Sequence, residues 1–242
     1  MTVANQISST INLFPEGMTF GYEQLNIEKD KFMTAAKALE RLQKKGLIKK
    51  IAKGVFYKPQ MTIFGELKPS EEEVLKSYLF QNGKRIAYIT GSYLYNKLGL
   101  TTQLTRIIRI ACFSKRIYIK RGTVIAKPVK SYAMVTNENY EILGILDAMK
   151  DLKDIPDADI NSAISVFENI IKAIEEKSRL PEFIEYALLY PPRVRALLGA
   201  ILENQGNDEN IKILKASLNP LTVIKIGIEK AYLPTVSNWN IQ

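Results

Sequence analysis

Between Lys29 and Lys58 stand ten lysines and arginines against two acids, Asp30 and Glu40. Thr34, Lys37, Arg41 and Lys44 recur there at spacings of three and four, with Lys45 beside them. Lys49 and Lys50 follow in a short run of β-favouring residues, and Lys53 in the turn that joins it to a second such run. The chemistry open to such a set is recognition of a polyanion. An arginine on a helix can pair with a guanine edge, and a threonine can meet a thymine methyl or another base edge. Ammonium groups neutralise phosphates without reading sequence. Exposed lysines also cover ordinary solvated helices, so the elements that carry them decide the matter.

Other chemistries find little material. One cysteine, Cys112, and no histidine exclude an intramolecular disulfide, a Cys/His zinc site and any mechanism resting on a histidine base. Gly91-Ser92, a turn ahead of a short helix, is of the kind that cradles a triphosphate in nucleotidyltransferases. Such enzymes need clustered carboxylates for magnesium, and the first acid after Ser92 is Glu138. Asp151, Asp154, Asp157 and Asp159 lack the glycine and terminal glutamate of an EF-hand loop and read as helix capping and solvation. No phosphate-binding glycine motif is present. No catalytic residue, metal or cofactor is expected, and no enzymatic activity. A second binding face is Arg116, Tyr118 and Lys120, which alternate along a strand-like run and would set a ring between two cations for a nucleic-acid backbone.

The helix that positions the first set is legible. With Asp30 as N-cap it runs to Lys45. Gly46 lies where a left-handed residue closes a helix, and Phe32, Ala35, Ala36, Leu39 and Leu42 form its apolar stripe. Short helices are expected before it, from Ile7 to Phe14 and from Tyr22 to Leu25. After it, Leu47 to Ile51 and Val55 to Tyr57 make a hairpin through Gly54. Three helices followed by a two-stranded wing is the winged helix-turn-helix order, which serves DNA binding and also protein docking.

Beyond Pro59 a linker leads to Ser70 and Glu73, at capping-box spacing for a helix ending near Asn82 and Gly83. Strands are then read at 86–90, 105–113, 115–120 and 123–129, with a short helix at 92–99. From Pro156 the pattern is helical: a stripe from Ile160 through Phe167 to Ile174, then helices opened by Pro181 and Pro192. The fold class expected is α+β, in three parts: a winged helix over residues 1–60, a basic α/β region over 61–155 and a helical region over 156–242.

Charge is regional along the chain. Residues 1–137 hold 23 basic against 9 acidic side chains, while residues 138–242 hold 11 against 16. From Val74 to Asn137 there are twelve basic residues and no acid. A regional positive field draws polyanions and makes double-stranded DNA the first partner to consider. No apolar run reaches the ~18 residues of a membrane helix, so no membrane partner is expected and the chain is read as cytoplasmic.

Four stretches carry a family likeness: ALERLQKKGLIKKIAKGVFY (Ala38 to Tyr57), FGELKPSEEE (Phe64 to Glu73), ITGSYLYNKLGLTTQ (Ile89 to Gln103) and YPPRVRALLGAILE (Tyr190 to Glu203). Together they resemble the AbiEi-type antitoxins of bacterial type IV toxin–antitoxin systems, which act in abortive infection as phage defence. Where that family commonly has a proline one residue past LGLTTQ, this chain has Leu104 and Thr105. The resemblance implies an N-terminal winged helix that represses its own promoter, and a C-terminal portion that antagonises a nucleotidyltransferase-like toxin. It leaves open whether the toxin is touched directly, and whether the face of Arg116, Tyr118 and Lys120 serves nucleic acid or toxin antagonism. A stand-alone winged-helix regulator with a ligand-sensing body is the alternative, and a transferase or kinase body would need acidic metal ligands that the sequence does not place.

Overall fold

Thr2 caps the first helix, its hydroxyl accepting from the Asn5 amide, and α1 (Val3–Leu13) starts four residues earlier than its apolar pattern predicts. The structure is a computed structural model that describes residues 2–121 and 124–242. β1 (Thr19–Gly21) and two single 3-10 turns, Glu23–Leu25 and Lys29–Lys31, lead into α2 (Phe32–Lys44). Asp30 is not the N-cap: it lies in the second turn, and Lys31 takes the cap position without a side-chain hydrogen bond. The other end of α2 follows its glycine. Gly46 has φ +74°, its amide donates to the Gln43 carbonyl at 3.0 Å, and the Leu47 amide donates to Leu42 at 3.1 Å. Those two bonds make a Schellman cap and satisfy carbonyls that the helix end leaves free.

β2 (Lys49–Ala52) and β3 (Val55–Tyr57) form the expected hairpin through Gly54, φ +75°, and β1 pairs on the other edge of β3. α1 buries Ile7 and Ile11 in the same core as Ala35, Ala38 and Leu39 of α2. Two alanines in that contact let the helices approach closely. Phe32, expected within the stripe, is 40% exposed and leans on the Tyr22 ring at 5.2 Å, whereas Ala38 is buried.

The stretch read as a linker is folded. β4 (Gln60–Thr62) and β5 (Gly65–Leu67) form a hairpin, and α3 (Glu71–Leu79) follows. β6 (Phe80–Gln81) and β7 (Lys84–Arg85) turn on Asn82 and Gly83, at φ 51° and 73°. The pair Asn-Gly thus makes a tight hairpin and not the end of a helix. Ser70 caps α3 by accepting from the Glu73 amide at 3.2 Å, but the Glu73 carboxylate does not close the box. It accepts from the Thr19 amide at 3.0 Å and the Thr19 hydroxyl at 3.1 Å, binding α3 to β1. The first compact unit is therefore Met1–Arg85 with Lys120–Val124, and the division expected at residue 60 falls inside it.

The second unit is Ile86–Ile119 with Ile125–Gln242. It opens with β8 (Ala87–Thr90) and α4 (Ser92–Lys97), followed by β9 (Ile107–Cys112), by Ile119 alone of β10 (Ile119–Arg121), and by β11 (Val124–Lys130) from Ile125 on. The strand order is β10-β11-β9-β8, with β8 antiparallel and β11 parallel to β9. Residues 115–118, expected as strand, are irregular, and Thr123 lies outside the described residues.

Five helices complete it: α5 (Tyr140–Asp151), α6 (Ile160–Glu176), α7 (Leu180–Leu188), α8 (Pro192–Asn204) and α9 (Asp208–Ala216). One core contains Leu146 of α5, Phe167 of α6, Phe183 of α7 and Leu197 of α8, so the expected break between 155 and 156 does not divide it. The C-terminal segment lays Trp239 across Gly199 so closely that a Cβ there would overlap the ring. The chain is α+β. Among the described residues no helix is long and apolar enough to cross a membrane.

Candidate nucleic-acid interface

Thr34, Lys37, Arg41, Lys44 and Lys45 are all exposed along the side of α2 opposite its buried alanines. Lys44 pairs with Glu40 one turn back, at 2.9 Å, and this contact holds the Glu40 carboxyl below its usual range. Among the described residues, Lys37, Arg41 and Lys45 have no acid within salt-bridge distance. The face thus keeps three uncommitted cations and one hydroxyl on a helix anchored at its C-terminus.

The β2–β3 hairpin is less uniform than its composition suggests. Lys49 sits opposite Tyr57 in the β2–β3 register, and both reach Glu66 of β5. Lys49 makes a close ion pair with that carboxylate. The Tyr57 hydroxyl donates to it at 2.6 Å, and burial with this contact pushes the phenol up to about 12. Lys49 is therefore half of an internal pair joining two hairpins, not a phosphate contact. Lys58 is also committed, donating to the Asn12 and Phe14 carbonyls at 3.0 and 2.9 Å where α1 ends. Lys50 and Lys53 remain exposed.

If the wing lies on a phosphate backbone, Lys50→Ala should lower the slope of log affinity against log salt by about one. Lys49→Ala should leave that slope unchanged and speed amide exchange across residues 60–67, where its partner sits. Equal salt slopes for the two variants would contradict the assignment.

Arg116, Tyr118 and Lys120 point outward, alternating with buried Ile117 and Ile119. Only Ile119–Arg121 of this run is strand, and the unit division separates them: Arg116 and Tyr118 belong to the second unit and Lys120 to the first.

The Gly91-Ser92 turn has a structural cause. Gly91 has φ +74°, and a Cβ there would lie 2.7 Å from Cδ of Arg109, whose stem crosses the turn. α5 brings up the carboxylates that the sequence does not place nearby. Asp147, 2% exposed, accepts from the Tyr88 hydroxyl at 2.9 Å, Thr90 at 2.9 Å and Tyr190 at 3.2 Å. Lys150 stands 3.3 Å from Asp147 and 3.4 Å from Asp151; the latter accepts from Tyr95 at 2.7 Å and faces Arg109 at 3.9 Å.

Burial pushes the Asp147 carboxyl up against the opposing pull of Lys150 and the hydroxyls. Burial would lower Lys150, but Asp147 and Asp151 outweigh it and the ammonium is held above its usual range. Two carboxylates, two cations and four hydroxyls satisfy one another here. No group of three or more His, Cys, Asp or Glu side chains suited to a metal occurs among the described residues. Of the other aspartates, Asp159 caps α6 as expected, and Asp157 instead accepts from Gln103 at 2.6 Å.

Sequence reading missed Asp147 and Tyr190. A lone acid inside the apolar run EILGILDAM was the available signal, since a buried carboxylate requires partners.

A family model described as a family of unknown function (DUF6088) matches residues 6–179. A search of curated proteins finds no significant match. Among solved structures, the crystal structure of the RV2827C protein from Mycobacterium tuberculosis is similar over all of this chain and 91% of that one. Its identity is 12% and its TM-score 0.51, a likeness of fold.

Proposed function

The chain belongs to the DUF6088 family, a family of unknown function, and we propose that it is a DNA-binding antitoxin that represses its own operon and antagonises a nucleotidyltransferase-like toxin. The observation that carries the DNA half is the outward face of α2, where Thr34, Lys37, Arg41 and Lys45 stand exposed on a capped helix. The order α1, β1, the 3-10 turn Glu23–Leu25, α2, β2, β3 supports a winged-helix reading, in which α2 as recognition helix would enter the major groove while the β2–β3 hairpin rests on the backbone. Lys50 and Lys53 are the exposed wing cations suited to that role.

The antitoxin half rests on the resemblance over Ala38 to Gln103 and Tyr190 to Glu203. Two compact units give it room, because a basic reading head and a separate body can hold separate tasks. In the cytoplasm of a bacterium the partners would be promoter DNA and the toxin encoded alongside.

Growth and repression test both halves at once. The full-length protein and the variant Thr34→Ala/Lys37→Ala/Arg41→Ala are expressed with the neighbouring toxin, beside a reporter driven by the protein's own upstream region. The wild type should rescue growth and silence the reporter; the variant should rescue growth and leave the reporter on. A silent reporter with the variant would sink the α2 assignment, and toxicity unrelieved by the wild type would sink the antitoxin reading.

A further inference from the structure

β9 and β11 run parallel and end side by side, with Lys130 in register with Cys112. The Ser131 amide donates to the Cys112 carbonyl at 3.1 Å, fixing the two strand ends to each other. Beyond that point the chain from Phe113 to Arg116 swings out of the sheet. Between this segment and the end of β11 lies a cleft of about 540 Å3, within the second unit. That size is in the ~300–1,000 Å3 range of small-ligand sites. Crevices at the carboxyl ends of parallel strands are where such sheets take ligands, because the diverging chain leaves space there.

The lining is chemically one-sided. Lys115, Arg116 and Lys130 supply three cations, Ser114 a hydroxyl, and among the described residues no acid takes part. Val129 contributes apolar floor, and Phe113, 46% exposed, offers a ring to the space. Cations bind phosphate oxygens through charge-assisted hydrogen bonds, and an exposed ring is a stacking surface for a base of any identity. The walls are finite, which suits one nucleotide and not a long strand.

We propose that this cleft binds a nucleoside phosphate, the phosphates held by Lys115, Arg116 and Lys130 and the base resting on Phe113. This goes beyond the DNA-reading role of α2 and does not depend on it.

The test uses the full-length protein with ATP, GTP, inorganic triphosphate and a short single-stranded RNA. Affinity is measured by calorimetry, and the site is mapped by amide exchange. A nucleoside triphosphate should bind saturably and protect residues 112–116 and 128–131. Arg116→Gln/Lys130→Gln should weaken it roughly tenfold or more for each cation removed. Phe113→Ala should erase the advantage of nucleoside over inorganic triphosphate, while Arg41→Ala should leave nucleotide affinity as it is. Binding that ignores the double substitution, protection confined to residues 32–53, or binding of RNA alone would each overturn the proposal. A wild-type protein that binds nucleotide and leaves the reporter on would count only against the DNA reading.

Discussion

Asp147→Ala is expected to destabilise the second unit by about 3–5 kcal/mol, the usual cost of removing one partner from a buried ion pair. The Tyr88, Thr90 and Tyr190 hydroxyls lose their acceptor, and Lys150 loses the nearer of its two carboxylates. Each unsatisfied buried group costs roughly 1–3 kcal/mol, and a domain commonly has only about 5–15 kcal/mol to lose. Asp147→Asn should fall between, since an amide oxygen still accepts from hydroxyls but cannot pair with Lys150. Urea titration of the purified variants gives the measurement. A change for Asp147→Ala within about 0.5 kcal/mol, as at an ordinary surface site, would mean the network is not structural.

The pH dependence has a defined sign. Burial raises the Asp147 carboxyl above its ordinary 3.8, so the folded chain holds that proton more tightly than the unfolded chain does. As pH falls from the raised folded value toward 3.8, this group adds stability, opposite to a salt-bridged surface acid. Lys150 is raised above 10.5; its contribution is complete below 10.5 and is lost as pH rises through its folded value. Asp147→Asn should flatten the stability profile just above 3.8 and reduce the decline on the alkaline side.

What the sequence disclosed depended on whether the cause was local. α2 was legible because its polar face repeats at helical spacing and Gly46 takes the positive φ that closes it. The β2–β3 hairpin was legible through Gly54 for the same reason. α5 was not, because Ile142, Leu143, Leu146, Ala148 and Met149 are buried all round the helix, which erases the polar and apolar alternation that reveals one. The β4–β5 hairpin escaped too. Met61, Ile63 and Phe64 are 70%, 94% and 94% exposed, so no buried face marks the strands.

The candidate site divides along the same line. Residue type and spacing single out the candidate cations of α2 and of the β2–β3 hairpin, and all of them are exposed. Neither could show that Lys49 is bound by Glu66, 17 residues on, because that pairing depends on two hairpins meeting. The missing carboxylates already set Gly91-Ser92 apart from a nucleotidyltransferase turn, but the reason for its glycine, the Arg109 stem crossing it, lies 18 residues on and depends on the fold. A motif fixes which groups are available, and the tertiary fold decides which are already engaged.

That distinction sets the last expectation, for Arg41. It is the only guanidinium on the α2 face, and no acid among the described residues lies within salt-bridge distance of it. A bidentate pairing with a guanine edge contributes about 1–3 kcal/mol of discrimination, so Arg41→Ala should lower affinity for the operator roughly tenfold or more and relax preference at one base pair. Lys45→Ala should instead weaken operator and random duplex alike, as a phosphate contact does. Replacing Thr34, Lys37 and Arg41 together should reduce operator binding to the non-specific level while the helix signal in circular dichroism stays constant, since all three side chains point away from the core. The measurement is fluorescence anisotropy with the upstream region of the protein's own gene and a scrambled duplex, at low and high salt. An Arg41→Ala effect equal on both duplexes would make Arg41 a phosphate contact and move base reading elsewhere. Unchanged operator affinity in the triple variant would remove α2 from the interface, because among the described residues no other exposed helix face of the first unit carries this set of cations.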